Sequence, residues 1–376
     1  MAATVAFFNN KGGVGKTTLA CNFAAFAAHA RPLDQRPDHA EPGRTARRRR
    51  RRGAAGVDVA QALPRDGQRV LIIDLDPQCN STQLVLTEDQ WAGIYEDVEK
   101  SDAQTILAAL QPIRSGDSGV DTKNLPIVRS FRFHIDVLPG HPTLSIFEDI
   151  LGASWSEFGG GQAGGARRTG WLRALRQHLD REYEFIIVDA SPSLGAINRS
   201  ALIGSDHFVT PMAADLFSLY ALDNISAWAH RWLEGYARSR AASERELGAT
   251  GHADLLPEQL PIQTGFVGYT VQQYVSRSSR GELRKVLAYD QHRDQIPAHA
   301  APLVELSSYD ADELELGTVP NMFSMIPLAQ SVHAPIMSLT PDDGLRGAQV
   351  NQQRRYAEQL VDIFERIEAR LRNGPK

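Results

Sequence analysis

A glycine-rich stretch, NNKGGVGKTT at residues 9–18, directly follows an apolar run at residues 4–8. Backbone N–H groups can surround an anion only where the chain adopts conformations that side chains obstruct, and glycine permits these conformations. Three glycines meet this need: Gly12, Gly13 and Gly15. A helix beginning near Lys16 would direct its free N–H groups and positive dipole end at the phosphates. A strand, a glycine loop and a helix in this order predict a phosphate-binding loop.

Two side chains at the end of this loop are candidates for contacts with a bound nucleotide. We expect Lys16 to reach the β and γ oxygens and the Thr17 hydroxyl to ligate Mg²⁺. The loop departs from the usual pattern G-x-x-x-x-G-K-[ST] at Asn10, which stands where glycine normally opens the loop. Asn is tolerable there because it enters left-handed conformations more readily than other residues with side chains. Lys11 is a second lysine within the loop, for which the usual pattern has no role.

Two further apolar runs end in carboxylates. The run at residues 185–188 delivers Asp189 and has the form of a Walker B element, so we expect Asp189 to hold Mg²⁺, through water. The run at residues 70–73 leads to Asp74 and Asp76, which lie on one side of an extended segment. A carboxylate beside the γ-phosphate can orient the attacking water. The alternative for Asp74 and Asp76 is a structural one, an N-cap before the next helix.

Short apolar runs alternate with helical patterns along the chain. The predicted strands are residues 4–8, 70–73, 134–138, 185–188, 207–210, 265–270 and 323–326. The predicted helices are residues 17–30, 169–179, 219–236 and 351–371. Most strands carry apolar residues consecutively, as strands buried on both faces do. The alternation predicts an α/β fold with a mostly parallel twisted sheet, helices on both faces, and functional loops at the carboxyl ends of the strands.

Several segments interrupt this pattern. We expect one domain over residues 1–376, with insertions or loops at residues 31–66, 239–262 and 286–318. The glycine-rich residues 159–165 indicate a flexible loop, and residues 305–315 indicate a solvated acidic patch.

The first insertion is rich in arginine and proline. Residues 31–56 hold nine arginines against three acidic residues, and Arg47 to Arg52 are consecutive. Like charges at this density repel one another, and little apolar surface is available to bury, so we expect part of the insertion to be disordered. Its role stays open between a partner-binding element, a nucleic-acid-binding element and an unselected loop.

The overall composition limits the class of protein. The 376 residues are 42% hydrophobic and 23% charged, as in globular proteins. No run of 18 or more apolar residues occurs, and the N-terminus lacks a basic region before its apolar run, so we expect neither a membrane span nor a signal peptide. Cys21 and Cys79 form neither a C-x-x-C pair nor a zinc spacing, so we expect two packing residues in a reducing compartment. These features predict a cytoplasmic protein.

The motifs together resemble those of the ParA/MinD ATPases. KGGVGKTT at residues 11–18 is similar to their deviant Walker A motif, DLDPQCNST at 74–82 to their second motif, and IIVDASPSLG at 186–195 to their Walker B region. Two later segments, ALIGSDHFVTPM at 201–212 and MIPLAQSVHAPI at 325–336, resemble the approach to the next strand and the late nucleotide-base loop. The likeness covers most of the chain in order.

The resemblance implies a role for the second lysine and for each motif residue. In this family the lysine at the position of Lys11 reaches the phosphates of the opposing subunit in an ATP-bound homodimer. The resemblance implies ATP and Mg²⁺ as cofactors, with Asp76 positioning water and Pro335 bordering adenine. The remaining implied site residues fall into two groups: nucleotide-binding Gly12, Gly13, Val14, Gly15, Lys16, Thr17 and Thr18, and metal-binding Thr17, Asp74 and Asp189. Family members often hydrolyse ATP slowly until a partner protein, ParB-like or other, completes the site.

Within this resemblance the ParA branch is the main hypothesis. It implies partition or positioning of cargo and sequence-independent DNA binding, with an association with the nucleoid. Phosphate contacts from basic residues give such binding its steep salt dependence. The candidate contacts are Arg277, Arg280, Arg284 and Lys285, together with Arg354, Arg355, Arg366, Arg370 and Arg372. The alternative for each group is a solvated helix face.

Three other functions remain open. A MinD-like protein needs a membrane-seeking terminal helix, but the acidic residues of 351–371 dilute its cationic face, which favours core packing for its apolar stripe. A P-loop enzyme that phosphorylates or ligates small molecules needs a substrate pocket and no lysine across a dimer. The ATPase switch of a larger assembly, such as a defence or surface-organising system, would use the insertions and the acidic patch as partner contacts.

Overall fold

The computed structural model describes residues 2–29, 69–249, 256–273, 276–277, 283–284 and 287–373. The predicted arginine-rich insertion at 31–66 lies outside the described residues. The strands are β1 (Ala3–Phe7), β2 (Val70–Leu75), β3 (Val128–Ser130), β4 (Ile135–Leu138), β5 (Phe185–Ala190), β6 (His207–Ala213), β7 (Phe266–Gln272), β8 (Ser276–Arg277), β9 (Leu283–Arg284) and β10 (Glu315–Val319).

The helices divide into α-helices and short 3₁₀ turns. The α-helices are α1 (Lys16–Ala28), α2 (Asn80–Val85), α3 (Glu88–Tyr95), α4 (Val98–Ser101), α5 (Ile106–Arg114), α6 (Leu144–Gly159), α7 (Ala163–Thr169), α8 (Trp171–Leu179), α9 (Ala196–Gly204), α10 (Leu216–Ala249), α11 (Leu287–Ala300), α12 (Met325–Ser331) and α13 (Ala348–Asn373). The 3₁₀ turns are Asp102–Gln104, Pro261–Gln263, Ala301–Leu306, Ala311–Glu313, Ile336–Ser338 and Pro341–Asp343.

An eight-stranded sheet organises the described residues, with strand order β10-β7-β6-β1-β5-β2-β4-β3. Only β3 pairs antiparallel to its neighbour, and β8 and β9 form a separate two-stranded ribbon. The central strands are buried on both faces, and every residue of β2 and β5 is buried. This arrangement confirms the predicted α/β fold with a mostly parallel sheet, because consecutive apolar residues suit strands that are covered on both sides.

Alternate residues of the central strands β1, β2 and β5 pack into two separate cores. In β1, Val5 and Phe7 face the layer of α1, α12 and α13. Ala6 and the following Phe8 face the layer of α5, α6, α8, α9 and α10. The alternation follows from the two-residue period of a strand. Helices therefore cover both faces, and the loops at the carboxyl edge of the sheet are left to form a site.

The last predicted strand, residues 323–326, was wrong. Phe323 has a φ of 38° and is 43% exposed, and α12 begins at Met325. The corresponding strand is β10, which falls in the segment predicted as an insertion or acidic loop. An edge strand alternates polar and buried residues, so Leu316 is buried while Glu315 pairs with Arg293. This pattern lacks the continuous apolar run that identified the central strands.

The segments predicted as loops contain regular structure. Residues 239–249 continue α10. This part of the helix is packed against the chain, since Arg240 is buried and its Nε donates to the Leu256 carbonyl oxygen at 2.6 Å. The segment 286–318 contains α11 and all of β10 except its last residue, Val319. Residues 159–165 span the end of α6 and the start of α7, where a Cβ on Gly165 would lie 2.6 Å from the Ser154 carbonyl oxygen. Glycine at 165 therefore permits close helix packing, where flexibility was expected.

The C-terminal helix α13 packs its apolar stripe into the core. Its stripe is fully or almost fully buried at Tyr356, Leu360, Ile363, Phe364, Ile367 and Leu371. The Phe364 ring centroid lies 5.7 Å from that of Phe23 and 5.6 Å from that of Phe26, both on α1. The prediction of core packing is confirmed. Within the described ranges, no helix has the length and apolar character needed to cross a bilayer.

Candidate nucleotide-binding site

The glycine loop connects β1 to the N-terminus of α1 at the carboxyl edge of the sheet. Gly13 and Gly15 have φ values of 74° and 79°, in the left-handed region that favours glycine. A Cβ on Gly15 would also overlap the side-chain amide of Gln272, at the end of β7. The backbone conformation therefore favours glycine at both positions, and at Gly15 the missing side chain also leaves room for the Gln272 amide.

Asn10 does not have the backbone conformation that the sequence suggested. It is absent from the non-glycine residues with positive φ in the described chain, so the proposed reason for its tolerance was wrong. Glycine is not needed at this position, because its backbone is ordinary. The neighbouring Asn9 fixes the start of the loop instead: its Nδ2 donates to the Pro211 carbonyl oxygen at 2.7 Å, and its Oδ1 accepts from the Lys11 N–H at 2.8 Å.

Lys16, the first residue of α1, is buried within the site. Its Nζ donates to the Lys11 carbonyl oxygen at 3.2 Å. Burial lowers the pKa of Lys16, while the nearby Asp189 and Asp76 work in the opposite direction. An ammonium held in this way is partly desolvated, so it would interact strongly with a phosphate placed beside it.

Asp189 lies at the end of β5 and is fully buried. Its Oδ2 accepts from the Ser81 hydroxyl at 2.5 Å, whereas its Oδ1 has no hydrogen-bond partner among the described residues. Burial raises the pKa of Asp189 to about 6, and hydrogen bonding from Ser81 and from Thr17 opposes this rise. The side chains of Thr17 and Asp189 are thus neighbours, and a buried unpaired carboxylate oxygen lies beside them.

Asp74 is the direct β-sheet neighbour of Asp189, since β2 and β5 pair in register at these two residues. Its Oδ2 accepts from the N–H and the hydroxyl of Thr82 at 2.9 and 2.7 Å, and its Oδ1 accepts from the Asp76 N–H at 3.2 Å. Burial raises the pKa of Asp74 to about 7, and Asp189 contributes to the rise. Thr82 is in the first turn of α2, so Asp74 satisfies a free N–H of that turn from a distance.

Asp76 lies where β2 meets α2 and is 7% exposed. Its Oδ1 accepts from the Gln78 N–H at 3.0 Å, and its carbonyl oxygen accepts from the Cys79 N–H at 2.8 Å. The N-cap of α2 is Cys79, with a φ of 54°. Asp76 is therefore not the N-cap that the alternative interpretation required, and its carboxylate is oriented by a local turn.

Lys11 is more exposed than Lys16, with 26% of its side-chain surface accessible, and it lies at the rim of the site. Its Nζ bonds to the Asp215 carboxylate and donates to the Ser218 hydroxyl at 3.2 Å. Burial alone would raise the pKa of Asp215, but hydrogen bonds from Lys11 and Ser218 hold it below its usual value. The two lysines of the loop thus have different surroundings, one inside the site and one at its edge.

A narrow cleft lies beside the loop, lined among others by Thr18, Asn22, Gln272 and Met322. Pro335 is not part of this lining. Its neighbour Ile336 donates its N–H to Asn22 Oδ1 at 2.8 Å, so the segment at Pro335 reaches the cleft through Asn22.

The basic residues proposed to contact DNA have different surroundings. Arg277 and Arg284 belong to the β8–β9 ribbon, whereas Arg280 and Lys285 lie outside the described residues. Arg354 and Arg355 are exposed on α13.

Three C-terminal arginines are engaged within the chain. Arg366 donates to the Leu316 carbonyl oxygen at 3.0 Å, and Arg370 donates to the Val267 and Glu313 carbonyl oxygens at 2.5 and 2.7 Å. Arg372 pairs with Glu184 and Glu368. These interactions give the three arginines structural roles.

Sequence reasoning did not identify three polar residues of this edge: Ser81, Asp215 and Gln272. Asp215 and Gln272 follow or end β6 and β7, and the rule that sites form at the carboxyl ends of parallel strands could have found them. Ser81 carries no such signal, because it approaches Asp189 only through the position of α2.

A parallel sheet with a glycine loop, a buried lysine and a carboxylate on the neighbouring strand defines a P-loop nucleotide-binding protein. A family profile described as an AAA domain matches residues 52–233. The chromosome-partitioning ATPase Soj of Thermus thermophilus is 27% identical over 224 residues, 59% of each chain. The sporulation initiation inhibitor protein Soj of Bacillus subtilis is 26% identical over 226 residues, 60% of this chain and 64% of its own. The matches thus span about three fifths of these relatives' lengths.

Solved structures agree in fold. Protein DIP2308 from Corynebacterium diphtheriae superposes with a TM-score of 0.66 and 32% identity over 90% of this chain and 99% of its own. McdA of Cyanothece in complex with ATP superposes with a TM-score of 0.54 and 14% identity over 98% of this chain and 96% of its own, which supports the fold alone. The chain belongs to the ParA/MinD-type P-loop ATPases.

The two neighbouring buried carboxylates predict a pH-dependent stability of the nucleotide-free protein. Asp74 and Asp189 have folded-state pKa values of about 7 and 6, above their usual range, so the folded chain binds more protons than the unfolded chain between about pH 4 and 7. Stability from these groups is therefore present at low pH and is lost as the pH rises. We expect Asp74→Asn to gain stability relative to wild type over this window, by up to about 1.4 kcal/mol per pH unit.

Urea unfolding at several pH values checks this prediction. Asp117→Asn, the same substitution at an exposed position, is the control and should follow the wild-type pH dependence. A stability difference between Asp74→Asn and wild type that does not change with pH would contradict it.

Proposed function

We propose that this chain is an ATP-dependent dimerising switch with slow, partner-stimulated ATP hydrolysis, acting in ParA-like partition or positioning with sequence-independent DNA binding. The observation that carries the proposal is the second lysine of the loop, Lys11, held at the rim of the site by Asp215. A lysine needed only for the chain's own nucleotide would face the interior beside Lys16. At the rim it would be able to reach a ligand of another subunit.

The proposal assigns ATP and Mg²⁺ to the residues at the carboxyl edge. Backbone N–H groups of residues 12–18 and the Lys16 ammonium would hold the phosphates. The neighbouring Thr17 hydroxyl and the unpaired Asp189 Oδ1 fit a hard cation, which binds oxygen ligands. Asp74 would support this site from behind, because both of its oxygens already accept hydrogen bonds. When bound, the metal supplies charge neutralisation to the phosphates.

Asp76 is proposed to position the attacking water. Its carboxylate is held by the Gln78 N–H at the mouth of the site, near enough to Lys16 to affect that lysine's pKa. Phosphoryl transfer depends mainly on positioning and electrostatics, so an oriented carboxylate is sufficient for this role. Pro335 is proposed to lie near the adenine base of ATP. Its segment is held beside the cleft by the hydrogen bond from the N–H of Ile336 to Asn22.

The surface next to Asp215 supports an interface at this rim. The first turns of α10 expose Leu216, Phe217 and Tyr220 by 44%, 70% and 53%. These are three of the six large apolar side chains that the described residues expose, so the rim concentrates surface that a partner would cover. By linkage, ATP bound between two such rims would stabilise the dimer, and hydrolysis would weaken it.

Two of the alternative functions can be compared with the structure, the MinD-like membrane protein and the ATPase switch of a larger assembly. Burial of the α13 stripe leaves no apolar face of that helix for a membrane, which disfavours the MinD-like alternative. The second candidate is the ATPase switch of a larger assembly without DNA binding. It is favoured by the engagement of Arg366, Arg370 and Arg372 within the chain, which removes them from the set available to phosphates.

Lys11→Ala is expected to weaken ATP-dependent dimerisation while nucleotide binding by the monomer is largely kept. The reason is that Lys11 would neutralise phosphate charge across the dimer, whereas Lys16 acts within the chain. Light scattering after size-exclusion chromatography, with a non-hydrolysable ATP analogue, measures the dimer. A fluorescent nucleotide measures monomer binding.

Lys123→Ala, which removes an exposed lysine, is the control for Lys11→Ala and should dimerise as wild type does. Equal dimer formation by Lys11→Ala and wild type would refute the assigned role.

Asp76→Ala is expected to give an ATP-bound dimer that hydrolyses ATP at least about 100-fold more slowly than wild type, because it removes the group that positions water. Phosphate release measures turnover, and chromatography shows the dimer. Asp117→Ala serves as the control at an exposed site. Normal turnover in Asp76→Ala would exclude Asp76 from this role.

DNA binding is expected only with ATP and is expected to weaken as salt rises. Gel shifts with an arbitrary duplex at several salt concentrations measure it. Arg354→Ala with Arg355→Ala should reduce the slope of log affinity against log salt by about 0.9 for each phosphate that the variant no longer neutralises. Arg238→Ala, at an exposed arginine of α10, should leave the slope unchanged. No ATP-dependent, salt-sensitive binding by wild type would favour the assembly switch.

A further inference from the structure

Helix α9, which follows the loop after Asp189, is capped at its N-terminus by a side chain of helix α6. Its N-cap residue is Gly195, which has no side chain to accept the free N–H groups of the first turn. The carboxylate of Glu148, in the second turn of α6, accepts from the N–H of Ala196 and, at 3.1 Å, from the N–H of Ile197. A carboxylate at a helix N-terminus is also favoured by the helix dipole.

The backbone at Gly195 is shaped around this carboxylate. Its φ is −82°, which any residue can adopt, so the backbone conformation does not require glycine there. A Cβ on Gly195 would overlap Glu148 Oε1 and lie 2.6 Å from its Cδ. Glycine at this position therefore serves to admit the side chain of Glu148.

The same first turn of α9 holds the loop that leaves Asp189. Asn198, which is fully buried, donates its Nδ2 to the carbonyl oxygens of Ser191 and Ser193 at 2.8 and 2.7 Å. Ser191 is two residues beyond Asp189. Glu148 thus fixes the position of α9. Helix α9 in turn holds the loop beside Asp189 through Asn198.

The other end of this connection leads to Asp74. The turn before α6 contains Gly140, whose N–H donates to the Thr82 hydroxyl at 3.0 Å, and that hydroxyl donates to Asp74. A Cβ on Gly140 would lie 2.9 Å from Asp74 Cγ. Helix α6 therefore follows a turn that is bonded to Asp74 through Thr82. Through Glu148, the same helix also holds the N-terminus of α9 and so the loop that follows Asp189.

We propose that Glu148 is a positioning residue that sets the loop at residues 191–195 for ATP hydrolysis by joining α6 to the N-terminus of α9. This inference rests on the proposed ATPase function of the same site. Glu148 does not touch the phosphates in this account. It acts by holding backbone that would otherwise be free to shift beside Asp189.

The test combines Glu148→Ala, Glu148→Gln, Gly195→Ala and the double variant Glu148→Ala/Gly195→Ala. Without nucleotide, Glu148→Ala should exchange the amide hydrogens of Ala196 and Ile197 about fivefold faster than wild type. With ATP, its kcat should fall about tenfold while KM stays within about twofold. Glu148→Gln keeps one acceptor oxygen and should fall between wild type and Glu148→Ala.

The double variant separates this role from general destabilisation. Gly195→Ala should slow kcat because its Cβ displaces Glu148, but it should add no further loss when Glu148 is already alanine. Glu157→Ala removes a carboxylate of the same helix, which pairs with Arg168, and should leave kcat unchanged.

Two results would overturn the inference. One is an unchanged rate of amide exchange in Glu148→Ala, and the other is a fall in kcat of the double variant equal to the product of the falls in the two single variants. If wild type shows no ATP turnover, the proposed function fails, and the exchange measurement still decides whether Glu148 holds the loop.

Discussion

The site depends on negative charge that the fold buries at one edge of its sheet. Asp74 and Asp189 are neighbours on adjacent strands, and both are fully buried. Burial disfavours the charged form and raises the pKa values of both, to which the charge of Asp189 adds at Asp74 and the charge of Asp76 adds at Asp189. Lys16 lies close enough to offset part of this charge, and Asp189 Oδ1 has no partner in the described part of the chain. This edge is therefore suited to receive a cation.

The two lysines of the glycine loop have different surroundings, which bear on how a second copy of the chain could bind. Lys16 is buried beside the carboxylates, whereas Lys11 is held by Asp215 at the rim. For Lys11 to reach a phosphate of another subunit, it must exchange the carboxylate of Asp215 for that phosphate. The chain holds Lys11 in a charged pair with Asp215, so the proposed dimer would gain only the difference between two ionic interactions. Such a small difference suits a reversible switch.

The sequence was informative where the structural cause is local. The loop and Asp189 could be placed because strand ends and glycine spacing are local features, and buried central strands carry continuous apolar runs. Edge strand β10 was missed because its alternating pattern with Glu315 is typical of a solvated segment. The position of Asp215 after β6 could have been noticed, but its pairing with Lys11 could not be predicted, because the two residues are 204 positions apart. The bond between Glu148 and Ile197 could not be predicted either, because it joins residues 49 positions apart. Packing of separate elements creates these interactions.

The central claim is that two copies of this chain associate through magnesium triphosphate at this edge. Sedimentation equilibrium of the wild-type protein with Mg²⁺ and a non-hydrolysable ATP analogue tests it most directly. We predict twice the monomer mass with the analogue and the monomer mass with ADP or without nucleotide. A monomer mass at saturating analogue would contradict the account.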